Sequence, residues 1–194
     1  MINNKLKVAL FAAILSVVGI SVAYAALSTT LTVTVNKVTQ NKLTWSVAFV
    51  EGTITPTTTE GTGTTGRTCG SVTTSGVTAT LADTTLLKPE DGCIYKLQVK
   101  NSGGIAAKLG TVTPTKPSST TCGTASGANM VCGNITYKLT TDAAGSTVIS
   151  SSNFTVAAGA TKDLYLVVRY TGTSLASSAI TQSGASFSLP FNQA

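Results

Sequence analysis

Apolar and polar residues alternate with period two along much of this chain, the pattern of half-buried β-strands. The first such run is Leu27-Ser-Thr-Thr-Leu31-Thr-Val33-Thr-Val35-Asn36. Others run over residues 43–49, 76–82, 94–100, 106–112, 135–139, 147–149, 164–170 and 185–191. In 43–49 the odd positions Leu43, Trp45, Val47 and Phe49 are expected inward, with Trp45 as a core anchor. In 94–100, Tyr95, Leu97 and Val99 face the core and the lysines face out. The run Leu164-Tyr-Leu-Val-Val-Arg-Tyr170 is apolar on both faces and is expected to lie centrally. Pro190 interrupts the last run, as at an edge or a bulge.

Apart from the N-terminal leader, no segment holds a helical period. The class is therefore all-β, a two-sheet sandwich with Greek-key or jelly-roll connections. Residues 37–194 read as a single domain. Two stretches, 52–70 and 113–133, are long, polar and rich in turn residues, and are expected to be surface loops or excursions stapled by disulfides.

The leader is residues 1–25. A basic start (Lys5, Lys7) precedes an apolar stretch from Val8 to Val22, and Ala23-Tyr24-Ala25 places small residues where signal peptidase cuts. Cleavage is expected between Ala25 and Ala26, giving a secreted protein, extracellular or at the cell surface. No membrane span is expected in the mature chain; an uncleaved leader acting as an anchor is the alternative.

Only 10% of residues are charged and the net charge is +6, which falls by two when Lys5 and Lys7 leave. The lysines are scattered singly, so no nucleic-acid stripe is present and no nucleic-acid partner is expected. The polar positions are mostly Thr, Ser and Gly, which reads as hydroxyl-rich outer sheet faces.

The four cysteines are Cys69, Cys93, Cys122 and Cys132. An even count in a secreted chain implies two disulfides. Of the three pairings, Cys69–Cys93 with Cys122–Cys132 is preferred, because each closes a loop-like segment. Zinc is disfavoured because the chain has no His and no closely spaced cysteine pair.

Catalytic signals are scarce. Without His there is no Ser-His or Cys-His pair, and no phosphate-binding glycine motif occurs. Seven acids remain: Glu51, Glu60, Asp83, Glu90, Asp91, Asp142 and Asp163. Any two could in principle serve as a hydrolytic carboxylate pair. The simplest reading of Glu90-Asp91, within Lys88-Pro-Glu-Asp-Gly92, is a solvated turn. The acids are too dispersed for calcium. No enzyme activity, metal or cofactor is expected. Asn134-Ile-Thr and Asn153-Phe-Thr are candidate N-glycosylation sites at Asn134 and Asn153.

The N-terminal run, residues 26–36, can be an ordinary first strand or a donor strand. As a donor, Leu27, Leu31, Val33 and Val35 would fill a groove in the next subunit while main-chain bonds extend its sheet. The polar stretch 36–42 would be the hinge.

Three stretches bear on that choice. The leader ends in Ala-Tyr-Ala and runs at once into Leu-Ser-Thr-Thr-Leu. Leu86-Leu-Lys-Pro89-Glu90-Asp91-Gly92 leads through a strand to Asn101-Ser-Gly103 and a small-residue strand. The chain closes with Gln182-Ser-Gly-Ala-Ser-Phe187-Ser-Leu-Pro-Phe191-Asn-Gln193. Their order resembles the TasA/camelysin group of biofilm fibre subunits and the related archaeal bundling pilins, over roughly half of the mature chain. In the mid-chain pattern Glu90 stands where the family has Gly. The resemblance implies a jelly-roll-like sandwich with a free N-terminal donor strand. It also implies a homopolymer, each subunit inserting residues 26–36 into the next, head to tail. The protease activity described for camelysin-like members is not carried over, since the chain has no His. The expected function is a structural subunit of an extracellular filament whose polymers bundle laterally. The alternative is a monomeric secreted module binding carbohydrate or cell wall.

Overall fold

The computed structural model describes residues 45–61, 67–117, 121–174, 180–182 and 184–194. The chain divides into two compact units, Met1–Asn41 and Lys42–Ala194. The described residues belong to the second, and they are all-β, with no helix among them.

The two longest strands form the centre. They are β7 (Gly92–Asn101) and β14 (Thr161–Tyr170), antiparallel from Thr161 opposite Lys100 to Arg169 opposite Gly92. Tyr95, Leu97 and Val99 on β7, and Leu164, Leu166 and Val168 on β14, are all buried. The alternation read from the sequence therefore sets the register, because a one-residue slip would turn every one of these side chains outward. Beyond β14 the sheet continues through β12 (Ile135–Thr140), β11 (Asn129–Cys132) and β10 (Cys122–Ser126). On the other side of β7 two short strands share one edge: β1 (Val47–Phe49) against its end and β3 (Thr58–Glu60) against its start.

Three smaller sheets complete the fold. A five-stranded sheet runs β2 (Gly52–Ile54), β4 (Val72–Ser75), β5 (Thr78–Leu81), β16 (Ser186–Ser188) and β9 (Thr113–Thr115). A three-stranded sheet joins β13 (Thr155–Val156), β8 (Ala107–Leu109) and β17 (Phe191–Gln193). A two-stranded sheet pairs β15 (Ile180–Gln182) with β6 (Thr84–Leu86). Side chains from all the larger sheets meet in one core, which includes Tyr95, Tyr137, Leu81, Phe187, Leu109 and Phe154. This is the sandwich class that the alternation implies.

Several details differ from the sequence reading. Trp45 is not a core anchor: it is 40% exposed and lies before β1, whose buried residue is Phe49. The stretch 52–70 is not a plain loop. It leaves β7 to form β2 in the second sheet and returns as β3. Likewise 113–133 carries β9 and the hairpin of β10 and β11. Their Thr, Ser and Gly content suggests loops, but edge strands with a wet outer face tolerate the same composition. Residues 147–149 contribute only a bridge, Val148 opposite Thr140. Pro190 marks a break: β16 and β17 flank it and enter different sheets.

Two buried tyrosines add a pH response. The Tyr95 hydroxyl donates to the Gly70 carbonyl at 2.8 Å. The Tyr137 hydroxyl donates to Gln182 Oε1, whose amide in turn donates to the Cys132 carbonyl at 3.1 Å. Burial pushes the Tyr95 phenol from 10.0 up to about 12 and raises that of Tyr137 as well. A folded-state pKa above the unfolded value gives stability that is complete below pH 10 and is lost as pH rises toward 12. We expect alkaline unfolding to set in above pH 10, accompanied by tyrosinate absorbance at 295 nm. The stability of the Tyr137→Phe variant should depend less on pH over that window, and a pH dependence identical to that of the wild type would contradict the assignment.

Candidate assembly surfaces

The residues expected to make subunit contacts, Leu27, Leu31, Val33 and Val35, lie outside the described residues, as do the leader and the Ala25–Ala26 cleavage site. The described unit shows what surfaces the sandwich offers.

The first is the edge of β7. Between β1 and β3 the chain swings away, leaving an opening. Val50 N–H reaches the Gln98 carbonyl at 2.8 Å on one side, and Thr57 N–H reaches the Ile94 carbonyl at 2.7 Å on the other. Strand alternation aims the peptide groups of Lys96, two residues from each, at the same edge. The opening is a cleft of about 430 Å³ lined by Val50, Ile54, Thr57, Lys96 and Gln98 among others. Val50 is 42% exposed. Across β7 and β14, Lys96 Nζ lies 2.7 Å from Asp163, and the Gln98 amide donates to the same carboxylate at 2.9 Å. The hydrogen bonds from Lys96 and Gln98 hold the Asp163 carboxyl below its usual range, and Asp163 raises the Lys96 ammonium.

The second surface is a shallow trough of about 250 Å³ on the outer face of the large sheet. Cross-strand pairing builds it as a grid. Val131, Thr136 and Arg169 form one row, and Asn129, Lys138 and Val167 the next. The Asp142–Thr147 loop walls one side, where the Arg169 guanidinium donates to the Ala144 carbonyl at 2.7 Å. That loop is held by Asp142, whose carboxyl accepts from Ser146 and Thr147 N–H at 3.0 and 2.9 Å and is thereby held below its usual range.

The mid-chain motif residues lie at the two ends of β7. Asp91 is 1% exposed, so the solvated-turn reading of Glu90-Asp91 does not hold for the aspartate. Its Oδ2 accepts from Leu87 and Lys88 N–H at 3.0 and 3.2 Å, and its Oδ1 lies 3.8 Å from the Arg67 guanidinium. Its backbone carbonyl accepts from Tyr170 N–H at 2.8 Å, tying the turn to β14. Arg67 sits within a Thr- and Gly-rich stretch that gives no sequence sign of this role. Glu90 is exposed and has φ of 74°, the left-handed conformation that favours Gly. Glu90→Gly is expected to stabilise the domain by about 0.5–1 kcal/mol, since a side chain is strained there. A thermal melt checks this; a lower melting temperature would contradict it.

At the other end Asn101 is fully buried. Its amide donates to the Ile105 and Val156 carbonyls at 2.8 and 3.1 Å, and its Oδ1 accepts from Gly103 N–H at 2.9 Å. The Asn-x-Gly pattern is thus the corner where β7 turns toward β8.

Both disulfides are present. Cys69–Cys93 ties the stretch after β3 to the start of β7, and Cys122–Cys132 joins directly opposed positions of the β10–β11 hairpin. Asn134 and Asn153 are both exposed in turns. Asn134 donates to the Tyr170 hydroxyl at 3.3 Å. Asn153 is engaged more fully, accepting from Ser150 N–H at 2.7 Å and donating to the Val148 carbonyl at 2.9 Å. Among the described residues no cluster of metal-ligating side chains occurs and no helix is long and apolar enough to cross a membrane. Two of the described acids face cations rather than each other: Asp91 faces Arg67, and Asp163 faces Lys96.

No protein-family model, curated protein or solved structure matches this chain.

Proposed function

We propose that this protein is a secreted structural subunit of an extracellular filament. Each subunit inserts its N-terminal strand, residues 26–36, into the sandwich of the next. The observation that carries this reading is the period-two run Leu27–Asn36, which follows directly on a leader ending in Ala23-Tyr24-Ala25, in a chain whose described residues form a sandwich with an opening on the β7 edge between β1 and β3. A strand of that pattern has one apolar face to bury and two rows of main-chain groups to pair. A head-to-tail contact of this kind propagates into a filament wherever its rotation does not close a ring. The two disulfides suit an oxidising exterior. The resemblance to the TasA/camelysin fibre subunits gains support from Glu90, left-handed where that family has Gly, and from the buried Asp91 and Asn101 of the same pattern.

The test is complementation in trans. A labelled peptide of residues 26–36 is titrated into mature protein that lacks that segment. Saturable binding by the native peptide and none by a scrambled one is the expected result. Equal binding by both would remove the donor-strand reading.

One observation favours the second reading, a monomeric carbohydrate- or cell-wall-binding module. Trp45 is 40% exposed, and an exposed aromatic is what a sugar-stacking site requires. Trp45 fluorescence on titration with cell-wall polysaccharide distinguishes the two: a saturable change abolished by Trp45→Ala favours the module.

A further inference from the structure

The trough on the outer face of the large sheet combines three kinds of chemistry. Val131 and Val167 supply apolar contact, Lys138 and Arg169 positive charge, and Asn129 and Thr136 hydrogen-bonding groups. Cross-strand register fixes their arrangement. Asn129 stands opposite Lys138, and Lys138 opposite Val167. Arg169, opposite Thr136, is the diagonal neighbour of Lys138. Diagonal positions lie about 7–8 Å apart, so two long cationic side chains can reach one anionic group.

Two of these groups have needs that the described residues do not meet. Asn129 Oδ1 is buried and accepts no hydrogen bond from any described residue. Lys138 is half-buried, and among the described residues it makes no ion pair. The acids of this region are otherwise engaged. Asp163, on the same face of β14, is paired with Lys96 at 2.7 Å. Asp142, on the loop whose Ala144 carbonyl holds Arg169, accepts from Ser146 and Thr147 N–H. A ligand that satisfies the trough therefore brings an anionic group for Lys138, a hydroxyl to donate to Asn129 and an apolar face for the valines. A uronic acid ring has all three: a carboxylate, ring hydroxyls and a C–H face. Phosphate has no apolar face, a neutral sugar leaves Lys138 unmatched, and an acidic side chain brings no donor beside its carboxylate. At about 250 Å³ the trough is smaller than the roughly 300–1,000 Å³ of sites for drug-sized ligands, which suits a single ring.

We propose that this trough binds one hexuronate residue of an acidic polysaccharide, with Lys138 on the carboxylate and Asn129 accepting from a ring hydroxyl. Trp45 does not line the trough, so this is a different site from the aromatic one considered above. The site does not depend on the donor strand. If the chain polymerises, one such site per subunit holds the polysaccharide along the filament through effective concentration.

The test titrates trimers of galacturonate, glucuronate and mannuronate into the full mature chain by isothermal calorimetry, beside a neutral galactose trimer and a triglutamate peptide. The expected result is saturable binding of at least one uronate trimer, one per chain, and none by the neutral trimer or the peptide. Lys138→Gln and Asn129→Leu each weaken that binding about tenfold or more, since each removes one matched polar contact. Lys108→Gln removes the same charge from an exposed position outside the trough and leaves binding within about twofold. A melting temperature near that of wild type establishes that each variant folds, and Lys138→Gln decides alone where Asn129→Leu does not. Failure of all three uronate trimers to bind would overturn the proposal. Equal binding by triglutamate, or an equal loss in Lys108→Gln, would also overturn it by showing general charge attraction. The readout is binding, so the result stands whether or not the chain forms filaments.

Discussion

Replacing Asn101 by Ala lowers the stability of the sandwich by about 3–5 kcal/mol, an unusually large loss for one polar side chain. The corner at Asn101 needs two donors and one acceptor in one side chain. The amide supplies both N–H groups to the Ile105 and Val156 carbonyls and its oxygen to Gly103 N–H, all without water, since the residue is fully buried. Alanine leaves three buried main-chain groups unpaired, at about 1–3 kcal/mol each before relaxation. Asn101→Asp is no rescue, because it aims a carboxylate oxygen at two carbonyls. For a domain of this size the expected fall in melting temperature is roughly 10 °C or more. A fall of only one or two degrees in either variant would show that water or a rearranged turn replaces the amide.

Deleting residues 26–35 has the largest expected effect on assembly and a small one on folding. Among the described residues the buried core runs from Phe49 onward, and the truncated chain is expected to keep those buried side chains, both disulfides and the Asn101 and Asp91 corners. Each subunit, however, loses the apolar row Leu27, Leu31, Val33 and Val35. Burying one such side chain is worth about 1.5–3 kcal/mol, so the junction loses most of what would hold it. The melting temperature in monomeric form should move little while polymerisation is abolished.

Much of this fold is legible in the sequence wherever burial is one-sided. The β7 alternation gives Tyr95, Leu97 and Val99 their inward face, and the doubly apolar run at β14 gives the central strand. Legibility fails where pattern and environment separate. Leu43-x-Trp45-x-Val47-x-Phe49 alternates well, yet among the described residues the ladder with β7 starts at Val47 and Trp45 lies at the surface. The hydroxyl-rich edge strands β2, β3, β9 and β10 resemble loops because both produce Thr, Ser and Gly, and only tertiary pairing distinguishes them. Asp91 looks solvated in the sequence because a turn composition carries no sign of its distant partner Arg67. The row that sets Thr73 opposite Thr80, and Thr80 opposite Ser186, on the five-stranded sheet is a property of cross-strand register, which no single segment contains.

The measurement closest to the central claim is negative-stain electron microscopy of the purified mature protein beside the variant lacking residues 26–35. Filaments from the first and single particles from the second are the predicted result. Single particles from both, or filaments from both, would contradict donor-strand polymerisation.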